Sequence, residues 1–380
     1  MNVLLISVLL AIGGQAPAAP QVVTLKAADE TLLKATYYPA SRPGPGIILL
    51  HACNQDRSAW SGFAAEAAAR GYHVLALDYR GYGESGGQRF QKFQEQQPVI
   101  DTKWPGDVDA AFTWLTGQAG VDKARIAAAG ASCGVNQSVQ LARRHPEVRT
   151  VVLLSGTVTP AGRDYLRRTP SIPLLAAASH DDGDAVDALR WTLGWSRNPA
   201  NKLIEYKAAG HGTDMFAVEQ GLQPAILDWL DTHLRNASTA PATAPASYSA
   251  TPVEEFWTAL NRQGGVARAR EIFASTRGRT PEVLLFPETE LNLFGYQLLQ
   301  EGNAKDAVIV FEMNVQAYPR SANTYDSLSD AYLALGNRDE ALRYAEKALE
   351  MLATDTRATA EFREAVRQSA QKKVDDLKKR

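Results

Sequence analysis

From Gln21 to Arg235 the chain alternates short apolar runs with longer segments of helical periodicity. The inner runs are continuously apolar, as expected of parallel strands that are covered on both faces. The predicted strands are Val22–Lys26, Leu32–Tyr38, Gly46–His51, His73–Leu77, Arg125–Ala129, Thr150–Leu154, Leu174–Ala178 and Leu203–Tyr206. The helix candidates are Ala59–Arg70, Val108–Leu115, Val135–Arg144, Ala185–Leu193 and Thr213–Leu234. Alternating strands and helices predict a doubly wound, mostly parallel α/β sheet, opened by one antiparallel pair.

Beyond Pro252 the strand pattern stops and an internal repeat begins. Gly302 and Ala307 recur 34 residues later as Gly336 and Ala341, with small and bulky residues at matching helical positions. A fixed period of this length indicates stacked helical hairpins. The segment resembles tetratricopeptide repeats, which implies an all-α array that binds a protein partner, associates with a second copy or packs on the rest of the chain.

Three further boundaries follow from composition. Residues 1–18 have an apolar run and an Ala16-Pro17-Ala18 cleavage pattern, so we expect a signal peptide and a periplasmic or secreted protein. An uncleaved N-terminal anchor is the alternative. Residues 237–252 are rich in Ala, Pro, Thr and Ser, which is typical of a linker. The predicted domains are therefore 19–236 and 253–380, with no membrane span in the mature chain.

Charge and cysteine content narrow the function classes. A net charge of −2 over 380 residues gives no basic surface for nucleic acid. The chain has only two cysteines, Cys53 and Cys133, so it cannot form a zinc-type or iron–sulfur-type cysteine cluster. We expect no cofactor and no metal. We expect the two cysteines to be buried thiols; a disulfide between them is the alternative.

The most informative motif is Gly130-Ala131-Ser132-Cys133-Gly134, which reads G-x-S-x-G. It follows a predicted strand and precedes a predicted helix, which is the context of a nucleophile elbow. Such a turn exposes the serine hydroxyl to a substrate carbonyl. Ser132 is therefore the candidate nucleophile.

A serine nucleophile needs a base and an acid that orients it. Among the histidines after Ser132, His211 lies between two glycines in a loop that follows the last predicted strand. Asp181 and Asp182 both follow the strand that ends at Ala178, and spacing alone leaves either as the acid. An Asp78-x-Arg80 pair in a glycine-rich turn reads as a structural ion pair.

Four motifs together resemble the α/β-hydrolase superfamily, and within it the dienelactone-hydrolase-like and serine-esterase members. They are Leu50-His51-Ala52, Asp78-x-Arg80-Gly81-x-Gly83-x-Ser85, Gly130-x-Ser132-x-Gly134 and Gly210-His211-Gly212. The resemblance implies hydrolysis of an ester or related acyl substrate of modest size, without a cofactor. It favours Asp182 as the acid and the backbone amides of Cys53 and Cys133 as oxyanion donors.

Two residues depart from the pattern of that family. Ala52 stands where most relatives have glycine, and Ser132 stands where dienelactone hydrolases proper have cysteine. Two other functions remain open at this point. The chain could be a repeat-based interaction protein whose hydrolase domain is catalytically idle, or a peptidase of the same superfamily.

Overall fold

The computed structural model describes residues 19–90, 93–236, 249–278, 283–356 and 358–379. The predicted signal peptide, residues 1–18, lies outside the described residues, as do residues 237–248 of the predicted linker. The boundaries proposed for them from composition stay predictions.

One eight-stranded sheet forms the N-terminal part of the fold, in the order β1-β2-β4-β3-β5-β6-β7-β8. The strands are β1 Gln21–Lys26, β2 Leu32–Tyr38, β3 Gly44–Leu50, β4 His73–Leu77, β5 Val121–Ala131, β6 Val148–Leu154, β7 Leu174–Ser179 and β8 Lys202–Tyr206. The pairs β1–β2 and β2–β4 are antiparallel, whereas β3–β4, β3–β5 and β7–β8 are parallel. The predicted opening antiparallel pair and mostly parallel sheet are confirmed.

The central strands are buried because their sequences are apolar on both faces. Every residue of β4 is buried, as are Ile47 to Leu50 of β3. The parallel register between them runs from Ile47 opposite Val74 to Leu50 opposite Leu77. Their carboxyl ends therefore lie at the same edge of the sheet, where functional loops collect in open α/β folds.

Helices connect these strands. They are α1 Ser61–Ala69, α2 Phe93–Thr102, α3 Trp104–Thr116, α4 Cys133–Arg144, α5 Pro160–Arg168, α6 Ala185–Trp195, α7 Met215–Val218 and α8 Leu222–Leu230. The predicted single helix Thr213–Leu234 is wrong, because the segment breaks between Val218 and Leu222. Pro224 explains the break, since it has no N–H to donate one turn back and its ring obstructs a continuous helix.

In its described residues the C-terminal part contains helices and connecting turns but no strand. Its helices are α9 Pro252–Leu260, α10 Val266–Thr276, α11 Glu288–Gln300, α12 Ala304–Ala317, α13 Ala322–Ala334, α14 Arg338–Met351 and α15 Ala360–Lys378. The pair α13–α14 repeats the pair α11–α12, since the first helix starts at 288 and then 322 and the second at 304 and then 338. Gly302 and Gly336 follow α11 and α13 with φ of 80° and 82°, the left-handed conformation that lets a helix end in a tight turn.

The chain divides into two compact units, and the division falls inside β6. The first unit comprises the described residues up to Val152 and those from Gln220 to Asn236; the second comprises Leu153–Glu219 and the described residues beyond 248.

The core of the second unit joins α6 to the C-terminal helices. Trp191 of α6 is buried in one cluster with Val253 and Phe256 of α9. A Cβ at Gly194 would collide with Val253, so α6 and α9 pack closely only because residue 194 is glycine. Glu254 pairs with Arg167 at 3.0 Å and Arg197 at 2.9 Å.

Candidate active site

Ser132 lies in the first unit, between β5 and α4, with a strained backbone. Its φ is 53° and its ψ is −116°, a conformation that side-chain-bearing residues rarely adopt. Such strain persists only where the surroundings enforce it, and it collects at functional sites.

Glycines on either side of Ser132 make this turn possible. A Cβ at Gly130 would collide with the carbonyl group of Gly134, and a Cβ at Gly134 would collide with the carbonyl oxygen of Leu50. The hydroxyl of Ser138 donates to the Gly134 carbonyl at 2.9 Å and holds the first turn of α4. The predicted strand, glycine turn and helix are therefore present around Ser132.

Cys53 and Cys133 form a disulfide, so the expectation of two thiols is wrong. Their Cα atoms lie 5.5 Å apart although they are 80 residues apart in sequence. This separation is within the window that a disulfide requires. Cys53 lies in the turn after β3 and Cys133 is the first residue of α4, so the bond ties the loop after β3 to the elbow.

His51 is fully buried and organises the start of that loop. Its Nδ1 donates to the Ala52 carbonyl at 2.7 Å, and its Nε2 accepts from the Tyr79 amide at 3.3 Å. Burial lowers the pKa of His51, so the ring stays neutral in this arrangement. The bonds link the end of β3 to the turn that follows β4.

The glycine-rich turn after β4 is held by ion pairs to residues outside it, and the expected pair between Asp78 and Arg80 does not form. The buried carboxylate of Asp78 pairs with Arg57 and accepts from the Arg57 amide at 2.7 Å and the Glu84 amide at 2.9 Å. Arg80 instead binds the buried Asp107 of α3, with Nη2 at 2.6 Å. Sequence spacing could not identify Arg57 or Asp107 as partners because both are distant along the chain.

Asp182 and His211 meet in the second unit. His211 Nδ1 lies 2.8 Å from each carboxylate oxygen of Asp182. The Asp182 side chain is 17% exposed and that of His211 36%. Asp182 follows β7, and His211 follows β8 between Gly210 and Gly212.

Those two glycines shape the histidine loop. Their φ values are 81° and 58°, in the left-handed region that glycine adopts without steric cost. The turn on each side of His211 is therefore specific to glycine.

Asp181 contacts the backbone of the same loop rather than the His211 ring. It accepts from the amides of Ala209 and Gly210, each at 3.3 Å. The buried hydroxyl of Ser179 donates to Asp181 and accepts from the Ala209 amide at 2.8 Å. Sequence reasoning did not single out Ser179. Its only signal is its position as the last residue of β7.

The two aspartates have different electrostatic roles. The hydrogen bond from His211 to Asp182 raises the pKa of His211, although partial burial opposes the shift. The hydrogen bond from Ser179 lowers the pKa of Asp181 and keeps that carboxylate ionised. Asp182 thus stabilises a protonated imidazole, whereas Asp181 stabilises the loop that carries it.

Two absences hold for the residues that the structure describes. Within them, no three or more His, Cys, Asp or Glu side chains come together in a group that could hold a metal ion. No helix in the same ranges has the length and apolar character needed to cross a membrane.

Residues 45–203 match the family model described as alpha/beta hydrolase fold. An uncharacterized protein of Mycobacterium tuberculosis is 33% identical over 147 residues, covering 37% of this chain and 49% of that protein. Epoxide hydrolase B of the same organism is 30% identical over 95 residues, covering 20% of this chain and 27% of that protein. The chain thus matches about half, or less, of the length of these relatives.

Among solved structures, a dienelactone hydrolase-like promiscuous phosphotriesterase from metagenomic libraries is similar to 57% of this chain. That match covers 100% of the other chain, at 18% identity and a TM-score of 0.48. The family match over residues 45–203 coincides with the strands that carry Ser132 and Asp182. It supports a hydrolase at the level of the α/β-hydrolase fold.

Proposed function

We propose that this protein is an exported serine hydrolase that cleaves a carboxylic ester or a related acyl substrate. Ser132 is the nucleophile, His211 the general base and Asp182 the group that orients His211. The backbone amides of Cys53 and Cys133 bind the oxyanion.

The observation that carries the proposal is the backbone of Ser132. This residue has φ of 53° between a strand and a helix, and its flanking glycines tolerate no Cβ. This is the geometry by which a nucleophile elbow presents a hydroxyl. The contact between Asp182 and His211 supports their proposed roles as the orienting acid and the general base.

The reaction follows from the chemistry of these groups. Ser132 Oγ attacks the substrate carbonyl carbon as His211 Nε2 takes the hydroxyl proton. The C–O bond to the leaving alcohol then breaks, and His211 returns the proton to that alcohol. Water repeats the cycle on the acyl-enzyme and releases the acid. Asp182 accepts from Nδ1 throughout, which fixes the tautomer and stabilises the imidazolium.

The disulfide supports the assignment of the oxyanion donors. Oxyanion donors act through preorganisation, so their backbones must be fixed before the reaction starts. The bond between Cys53 and Cys133 fixes the two candidate backbones relative to each other. Disulfides persist mainly in oxidising compartments, which also supports export.

The helical region is proposed to be a tetratricopeptide-like array that binds a protein partner or a second copy of the chain. The 34-residue spacing of its helix pairs supports this.

A fluorophosphonate probe tests the hydrolase proposal, because only an activated serine reacts with it rapidly. We expect labelling of the wild type and of Ser41→Ala, which removes an exposed hydroxyl from the loop before β3. We expect no labelling of Ser132→Ala and a fall in ester hydrolysis of roughly 10³-fold or more. Equal labelling of Ser132→Ala would refute the nucleophile. Absent labelling of the wild type would favour an interaction protein with an idle hydrolase domain.

A further inference from the structure

A cavity of about 470 Å³ lies in the second unit, lined by residues of α5, α6, α9 and α11. This volume is in the range of pockets that hold small molecules. None of the proposed catalytic residues lines it. Its walls combine the charged side chains Arg163, Asp164 and Glu290 with the rings of Trp195, Trp257 and Phe294. The Asp164 carboxylate is already paired with Arg167 at 2.7 Å and Arg168 at 2.9 Å.

Arg163 is a half-buried cation without a carboxylate in contact. Its guanidinium stacks on the Trp191 ring at 4.1 Å, and Nη1 donates to the Val158 carbonyl at 2.5 Å. Across the part of the chain that the structure describes, no acidic side chain forms an ion pair with it. Burial lowers the pKa of Arg163, and the charge of Glu290 only partly opposes that shift. Removing a cation from water without a partner is costly, so Arg163 is poised to bind an anion.

Glu290 supplies the opposite charge in the same cavity. It lies in the first turn of α11 and acts on Arg163 electrostatically, but the two side chains do not reach ion-pairing distance. Within the described ranges, Glu290 has no hydrogen-bond partner of its own. Among the described residues of the cavity wall, Arg163 and Glu290 therefore present a positive and a negative group that form no ion pair with each other, with a gap that the protein does not close.

Aromatic side chains form the apolar part of the wall. Trp257 is fixed by a bond from its Nε1 to the Leu285 carbonyl at 2.9 Å, and its ring meets Phe294 edge to face at 6.2 Å. The Nε1 of Trp195 is buried and has no partner in the described part of the protein. Leu293 lies at the cavity and is 67% exposed. These residues offer a rigid apolar surface beside the two charges.

We propose that this cavity binds a free amino acid with a large apolar side chain. The ligand carboxylate binds Arg163, its ammonium binds Glu290, and its side chain lies against Trp195, Trp257 and Phe294. A simple carboxylic acid would leave Glu290 facing an anion, and a simple amine would leave Arg163 unpaired. A residue inside a polypeptide chain carries neither free charge.

Isothermal titration calorimetry on the full chain tests the charge requirement with three compounds of similar shape. They are L-phenylalanine, 3-phenylpropionate and phenethylamine, which carry both charges, the carboxylate only and the ammonium only. We expect L-phenylalanine to bind at one site and at least about tenfold more tightly than either analogue, the gain of one charge-assisted contact. No saturable binding of L-phenylalanine overturns the proposal, and so does equal binding of 3-phenylpropionate.

Two variants assign the charges to residues. Arg163→Met should remove the preference for L-phenylalanine over phenethylamine, and Glu290→Gln the preference over 3-phenylpropionate. Arg268→Met and Glu271→Gln are matched controls, because these side chains form an ion pair in α10 and are each 65% exposed. If the controls weaken binding as much as the cavity variants, net charge rather than the cavity determines affinity and the site is wrong. Circular dichroism and ester hydrolysis confirm that each variant is folded.

Discussion

His211 Nδ1 lies 2.8 Å from both carboxylate oxygens of Asp182. The imidazole N–H thus faces two acceptors at equal distance. The geometry commits Nδ1 to Asp182 and leaves Nε2 as the nitrogen for the proposed proton transfer. It also separates the two adjacent aspartates, because Asp181 contacts the backbone of the loop.

Exchanging each aspartate for its amide tests this division. Asp182→Asn should lower kcat by about 10³ to 10⁴-fold, because the amide no longer stabilises the imidazolium and allows the wrong tautomer. Asp181→Asn keeps an oxygen that can accept from Ala209 and Gly210, so we expect a loss of less than about tenfold. Steady-state kinetics with a chromogenic ester measures both. A larger loss in Asp181→Asn would reverse the assignment.

The pH dependence of kcat/KM should follow the titration of His211. Its pKa lies above the ordinary value of 6.5, mainly because of the bond to Asp182. In the proposed mechanism the neutral ring is the base, so activity should fall as pH drops through that raised pKa. In Asp182→Asn the acidic limb should move to lower pH. An unmoved limb would mean that another group titrates.

The raised pKa of His211 also affects the stability of the fold, and this effect has the opposite pH dependence: stability falls, rather than rises, as pH increases. The protonated ring is favoured by the fold, so this contribution is fully present below pH 6.5 and is lost as pH rises through the raised pKa. Because His211 is partly exposed, solvent screening makes this contribution to stability smaller.

Replacing both cysteines should destabilise the first unit. The bond closes a sequence separation of 80 residues, for which the chain-entropy model gives about 4.5 kcal/mol. Disulfides typically contribute about 2–4 kcal/mol, so we expect Cys53→Ser/Cys133→Ser to lose about 2–4 kcal/mol. Urea unfolding measures the change. Activity should also fall, because the loop after β3 is no longer tied to the elbow.

Reduction offers an independent check of the same bond. A reductant should lower wild-type activity towards that of the double variant and leave the variant itself unchanged. Thiol counting on denatured, unreduced protein should find none. Two reactive thiols would contradict the bond outright.

Adding one methyl group at Gly130, next to Ser132, should lower stability and activity far more than adding one at an exposed glycine of a helix. Gly130→Ala forces a Cβ into the carbonyl group of Gly134 and the hydroxyl of Ser138, which we expect to cost about 1–3 kcal/mol and most of the activity. Gly106→Ala is the matched control, because nothing lies within 4 Å of its added Cβ and it lies in α3. That change should leave stability equal or improved. Equal tolerance at the two positions would mean that the elbow is loosely packed.

Local pattern predicted the order of the strands along the chain and the position of Ser132. Continuous apolar runs identify buried strands, and paired glycines identify a turn where no Cβ fits. Both signals are contained within a few residues. This is why the predicted strand Gly46–His51 differs from the observed β3, Gly44–Leu50, by only two residues at its start and one at its end.

The partners of buried charges could not be predicted in this way. Asp78 pairs with Arg57 and Arg80 with Asp107, whereas proximity in sequence suggested that Asp78 and Arg80 pair with each other. The fold decides these contacts, since two side chains two residues apart in an irregular turn need not face each other. The disulfide was expected only as the alternative to two buried thiols, since a separation of 80 residues along the chain carries no direct information on the distance between two side chains.

The burial of Trp191 against Val253 affects where the chain can be truncated for expression. A fragment that stops before residue 249 retains α6 but loses the side chains that cover Trp191, and it leaves Arg167 and Arg197 without Glu254. Such a fragment would present a fresh apolar surface next to two arginines that have each lost a carboxylate partner, a combination that promotes aggregation. Truncation within the predicted linker is therefore expected to give an aggregating protein, and the full-length chain is the better choice for expression.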